Sequence, residues 1–149
     1  MVNKLIKTAI EAKVVGVDTM LFIYLFENNK KYFLIVKELF YLLEKEKITV
    51  VTSIISPIEI ISTPSIEEYP EKQRLYLSFF KKMKNLRIKE IDWELVEKVG
   101  YFRRKYNLRT PDAIQLTTAI ESQAKIFMTN DIKFKKVTEI PVLILDEVI

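Results

Sequence analysis

The sequence predicts an α/β fold in which helices flank a mostly parallel sheet. Three observations carry that prediction. Short β-branched runs such as VVGV at 14–17 and ITVVT at 48–52 alternate with longer segments whose apolar residues recur at helical spacing. Strands separated by helices are the pattern of a parallel sheet, since a parallel neighbour is reached only through a crossover. Acidic residues follow two of the strands, Asp18 and Asp131, and open α/β sheets bind ligands beyond the carboxyl ends of their strands.

Each element has its own signal. Residues 3–12 carry Leu5, Ile6, Ala9 and Ile10 at helical spacing, and VVGV then reads as a short buried strand that ends at Asp18. Helical segments follow at about 19–26 and 31–45, then a second strand at 48–52. Helices at about 57–62 and 67–83 precede a strand near 86–90. Helices at 93–106 and 111–122 and strands at 125–129 and 142–145 complete the chain. Pro64 and Pro70 punctuate the polar stretch TPSIEEYP, which is too short for an interdomain linker. With no repeat and no low-complexity segment, residues 1–149 read as a single domain.

Composition narrows the chemistry. A chain of 149 residues, 49% hydrophobic and 30% charged, can bury a sizeable core. It contains no cysteine and no histidine. That removes disulfides, thiolate zinc sites, cysteine nucleophiles, imidazole bases and Ser-His-Asp triads together. The donors left for a catalytic metal are carboxylates, carbonyls, hydroxyls and water, a set that suits Mg2+ or Mn2+. A net charge of +4, from 24 basic and 20 acidic residues, permits a polyanionic partner without requiring one. The basic clusters are Lys30 with Lys31, Lys81 with Lys82 and Lys84, Arg103 to Lys105 with Arg109, and Lys133 with Lys135 and Lys136. Each reads as a solvated face unless the fold brings it to an acidic pocket. Lys4, Lys7 and Lys13 precede an apolar stretch, but Asp18 interrupts that stretch and no small-residue cleavage site follows, so the segment reads as mature structure. No apolar run approaches the roughly 20 residues a membrane helix needs, and the expectation is a soluble, cytoplasmic protein.

Four acids are the candidate catalytic and metal-ligating residues: Asp18, Glu59, Asp112 and Asp131. Each has a plainer reading beside it. Ser56-Pro57-Ile58-Glu59 fits a capping box, with Ser56 the cap and Glu59 reaching back to it. Thr110-Pro111-Asp112 fits a second helix start, with Thr110 the cap and Asp112 in the first turn. Asn130-Asp131 fits a turn after a strand. Asp18 resists such readings, because an ionised carboxylate among Val17, Met20, Leu21 and Phe22 is costly without a partner. Thr129 and Asn130 stand beside Asp131 as supporting residues, the Thr129 hydroxyl placed to hold a water or phosphate and Phe134 to pack the loop down. The aromatic residues read as core or interface, and any uncovered part of the apolar stretch 21–26 as a homodimer surface.

The ordered segments VDTMLFIYLFE at 17–27, TSIISPIEI at 52–60, RTPDAIQLTTA at 109–119 and MTNDIKF at 128–134 resemble the PIN-domain ribonucleases, including the VapC-type toxins. The resemblance spans almost the whole chain. It implies a three-layer α/β/α sandwich with a five-stranded parallel sheet, and a metal site at Asp18, Glu59, Asp112 and Asp131 with Mg2+ or Mn2+. It also implies that the hydroxyls of Thr19 and Thr129 support the site. RNA is the substrate so implied, an antitoxin protein the partner if the toxin subgroup applies, and a homodimer the assembly. Met20 departs from the family, many of whose members have Asn there, and Arg109 matches no transferable role.

Two other α/β enzymes fit less well. A phosphoacceptor receiver domain needs adjacent acids after the first strand, and a haloacid-dehalogenase phosphatase needs D-x-D, whereas Asp18 is followed by Thr19 and Met20. The remaining alternative is a catalytically silent PIN-like module that binds RNA or protein.

Overall fold

The computed structural model describes residues 3–149. Residues 1 and 2 of the expected domain lie outside that range. The described residues form a five-stranded sheet, all of its pairings parallel, in the order β3-β2-β1-β4-β5. The strands are β1 (Val14–Val17), β2 (Thr49–Ser53), β3 (Leu86–Lys89), β4 (Ile126–Thr129) and β5 (Val142–Ile144). The helices are α1 (Lys4–Ala12), α2 (Thr19–Phe26), α3 (Phe33–Glu44), α4 (Ile55–Ile61), α5 (Ser65–Glu68), α6 (Glu71–Lys82), α7 (Trp93–Tyr106) and α8 (Thr110–Glu121). Two 3-10 turns, Ile132–Lys136 and Leu145–Glu147, follow β4 and β5.

Alternation along the strands separates two cores. Val15 and Val17 of β1 and Ile126 and Met128 of β4 face one way, into a cluster with Leu5, Phe22, Leu39 and Phe40 from α1, α2 and α3. Phe127 of β4 faces the other way, packing with Phe102 of α7, Leu116 and Ala119 of α8, and Phe134. Helices on both faces make the three-layer α/β/α sandwich that the resemblance implied, with the sheet parallel throughout.

Gly16 decides how closely α8 approaches. A Cβ at this position would stand 2.6 Å from Cβ of Ala119, inside van der Waals contact. The missing side chain therefore lets the helix that carries Asp112 lie against the sheet. Gly16→Ala is expected to destabilise the protein by about 1–3 kcal/mol through forced helix displacement. A urea midpoint equal to or above that of the wild type would refute this account of the packing.

Three local expectations are corrected. The helix expected over 67–83 is broken between α5 and α6, with Tyr69 non-helical at φ −131 and ψ 74 before Pro70, the N-cap of α6. Proline disfavours helical geometry in the residue before it and brings no N–H of its own. α4 starts earlier than the capping box required: its N-cap is Ile54, and Ser56 is a buried residue inside the helix. α8 is capped by Arg109, without a side-chain bond, so Thr110 is its first residue and not its cap. The stretch 21–26 leaves no exposed side chain for a dimer surface, because α3, α4 and α6 cover it. Phe22 and Phe26 pack there against Phe40, Tyr76, Phe79 and Phe80.

Candidate functional site

The order of the strands makes a crevice. From β1 the chain runs to β2 on one side and later returns to β4 on the other, so the carboxyl ends of β1 and β4 diverge at a topological switch point. Asp18 follows β1 directly, and Asp131 stands two residues beyond β4. α8, packed over β1 and β2, presents Asp112 in its first turn.

Asp18 is the buried member, 6% exposed. It caps α2, accepting from the Met20 N–H at 3.0 Å, and its second oxygen accepts from the Thr129 hydroxyl. Burial pushes its pKa up to about 7; the two hydrogen bonds oppose that rise, and the charges of Asp131 and Asp112 add to it. Asp131 and Asp112 thus lie near enough for their charges to act on Asp18. Asp131 caps the following 3-10 turn through Oδ1, which accepts from the Lys133 N–H at 2.9 Å. Its own N–H donates to Oγ1 of Thr129 at 3.0 Å. Thr129 thus joins the two aspartates, and its hydroxyl is already engaged with Asp18 when considered as a holder of water or phosphate. Phe134 is buried against Phe127 and seats the loop.

Two of the basic residues reach this pocket. Arg109 Nε donates to Asp112 Oδ2 at 3.2 Å, and Lys133 Nζ donates to the same oxygen at 3.4 Å. Lys133 Nζ also lies 3.6 Å from Asp131 Oδ2. Some of the other clustered cations have partners away from the pocket: Lys31 pairs with Asp146, Lys105 with Glu139, and Arg103 donates to the Leu108 carbonyl.

Glu59 stands at the rim, exposed, and accepts from the Thr19 hydroxyl at 2.7 Å. It does not reach back to Ser56. The Ser56 hydroxyl instead belongs to a buried network, 2.7 Å from Thr52 Oγ1 and 3.2 Å from Thr19 Oγ1. Gln115 closes that network. Its amide nitrogen donates to Ser56 Oγ at 2.8 Å and Thr19 Oγ1 at 3.2 Å, while its carbonyl oxygen accepts from the Ser53 N–H at 3.2 Å. One side chain on α8 thereby ties together α2, α4 and the end of β2, with its polar atoms satisfied within a buried network. Sequence reasoning missed Gln115. The available signal was a long polar side chain three residues after Asp112, among Ala113, Ile114 and Leu116.

Asn130 faces elsewhere. Its amide donates to the Tyr24 hydroxyl at 3.1 Å and accepts from the Asp146 N–H at 3.0 Å, which latches the Asp131 loop to α2 and the C-terminal turn.

As they stand, no three carboxylates among the described residues are grouped as a ready cage for an ion. The donors nevertheless fit a hard divalent cation. They are all oxygens, and Asp18 is held from ionising in part by the neighbouring negative charges that a cation would offset.

A family model described as PIN domain matches residues 15–140. The fold is similar to that of VapBC2 from Rickettsia felis, solved bound to a DNA fragment from its promoter, with TM-score 0.65, 19% identity, and coverage of 87% of this chain and 97% of that one. It is also similar to a toxin-antitoxin complex from Klebsiella pneumoniae, with TM-score 0.63, 21% identity, and coverage of 87% and 95%. A comparison with curated proteins gives no significant match.

Proposed function

The chain belongs to the PIN-domain family, and from that premise we propose that it is a ribonuclease that hydrolyses RNA phosphodiester bonds with Mg2+ or Mn2+. The observation that supports this reading is that Thr129 joins Asp18 to Asp131 and Lys133 reaches both Asp131 and Asp112, beside the switch point of the sheet, in a protein without histidine or cysteine. Asp18, Asp112 and Asp131 would hold the ion, with Glu59 binding directly or through water. When bound, the ion supplies a water of lowered pKa and offsets charge developing on the phosphate. Thr129 fixes the orientation of Asp18, and Thr19 that of Glu59. Arg109 lies at the mouth, where a cation attracts a phosphodiester. In-line attack leaves 5'-phosphate and 3'-hydroxyl ends.

We further read the protein as the toxin of a toxin-antitoxin pair. The structural neighbours support this, one being described as a toxin-antitoxin complex and the other as VapBC2 bound to a DNA fragment from its promoter. A cognate antitoxin would then present an Arg or Lys to the acidic pocket. A single cytoplasmic domain assembling as a homodimer completes the proposal. No described helix is long and apolar enough to cross a membrane. The exposed apolar side chains available to a dimer include Leu34 and Tyr41 on α3, Ile58 on α4 and Leu75 on α6.

A catalytically silent PIN-like module that binds RNA or protein is the second reading, favoured by the absence of a ready three-carboxylate cage among the described residues. Incubation of the purified protein with RNA and Mn2+ separates the two. Cleavage that stops on adding EDTA and resumes with excess Mn2+ is the expected result. Intact RNA, under conditions where Mn2+ binding is measurable, would favour the silent module.

A further inference from the structure

We propose that Lys133 is a built-in cation that occupies the space between Asp112 and Asp131 in the free protein and competes there with the divalent ion. The inference rests on the metal-site reading above and adds to it a residue of this chain that sets ion affinity.

The geometry singles out Lys133 among the basic residues. Its ammonium approaches both carboxylates, 3.4 Å from Asp112 Oδ2 and 3.6 Å from Asp131 Oδ2. Arg109 reaches only Asp112 and is far more exposed. The backbone explains why the side chain arrives there. Asp131 caps the 3-10 turn by accepting from the Lys133 N–H, so the residue that anchors the turn fixes the stem of the lysine over the carboxylates. The same bond engages Asp131 Oδ1 and leaves Oδ2 facing the ammonium.

The chemistry makes the contact displaceable. An ammonium is a compact point charge on a flexible stem, and this one is 44% exposed, so it can swing out to solvent. A divalent ion brings twice the charge to the same oxygens and binds them at shorter range. The pocket then has two occupants for one negative space: Lys133 offsets the charge of Asp112 and Asp131 when no ion is present, and gives way when one arrives. The backbone bond to Asp131 does not involve the side chain, so replacing Lys133 leaves the turn in place.

Calorimetric titration of Mn2+ into the purified protein, without RNA, tests the inference. Lys133→Met is expected to bind Mn2+ about five- to tenfold more tightly than the wild type, the worth of two partly exposed ion pairs. Lys133→Arg, which keeps the charge, is expected to stay within about twofold of the wild type. Lys135→Met, which removes an equal charge from a residue paired with Glu147, serves as the control and should also stay near the wild type. Unchanged or weaker binding by Lys133→Met, or an equal gain in Lys135→Met, overturns the inference. Asp112→Asn tells the two levels apart. If it weakens Mn2+ binding while Lys133→Met changes nothing, only the role of Lys133 is lost; if it too changes nothing, the metal-site reading fails and this inference fails with it.

Discussion

Asp18→Asn is expected to abolish RNA cleavage and, at pH 8 without metal, to raise the melting temperature. The carboxyl group has a pKa of about 7 in the folded protein against 3.8 for the free side chain. The folded state therefore holds a proton that the unfolded chain has released across that interval, and stability falls as pH rises from near 4 to near 7. Above pH 7 the loss is complete, and a shift of this size corresponds to roughly 4 kcal/mol. Asparagine keeps an oxygen for the Met20 N–H and offers an N–H to Thr129, so the cap survives while the charge is removed. A gain of roughly 8–16 °C is expected at pH 8, shrinking towards zero near pH 4, where the wild-type carboxyl is itself protonated. A melting temperature at pH 8 that is unchanged or lower would contradict the buried, crowded carboxylate described here. Asp112→Asn is expected to gain less, because Arg109 and Lys133 already offset that charge.

The same carboxyl makes ion affinity depend on pH. A divalent cation requires Asp18 ionised, so below about pH 7 each bound ion must expel a proton. Mn2+ affinity is expected to fall about tenfold per pH unit in that range, or roughly 25-fold between pH 7.5 and 5.5. Titration in two buffers of different ionisation enthalpy should reveal about one proton released per ion at the lower pH and little at the higher. Mn2+ should also raise the melting temperature by mass action, more at pH 8 than at pH 5.5. An affinity that does not change with pH, with no proton released, would mean that Asp18 takes no part in holding the ion. The four acids would then have to be assigned separately.

Much of the architecture was legible because it rests on periodic burial. β-Branched runs marked β1 and β2, and helical spacing marked α1, α7 and α8, since in each case a single face meets the core. Asp18 was legible for the converse reason: a charge among apolar neighbours demands a partner. The capping-box alternative for Ser56 and Glu59 fails because S-x-x-E describes such a box wherever it occurs, and here α4 begins before Ser56 and packs against α2 and α8. Pro70 marked a break whose consequence for the helix was underestimated.

The chain by itself determined the alternation of strands and helices, the exclusion of thiol and imidazole chemistry, and the acids that close the first and fourth strands. These follow from residue type and spacing, which act over a few residues. Tertiary structure alone decided that Asp112 lies near enough for its charge to act on Asp18, that Gln115 binds three elements together, and that Lys133 lies between two carboxylates. Most of those contacts join residues far apart in the chain, and the order β3-β2-β1-β4-β5, with α8 drawn close over Gly16, is what brings them to one edge of the sheet.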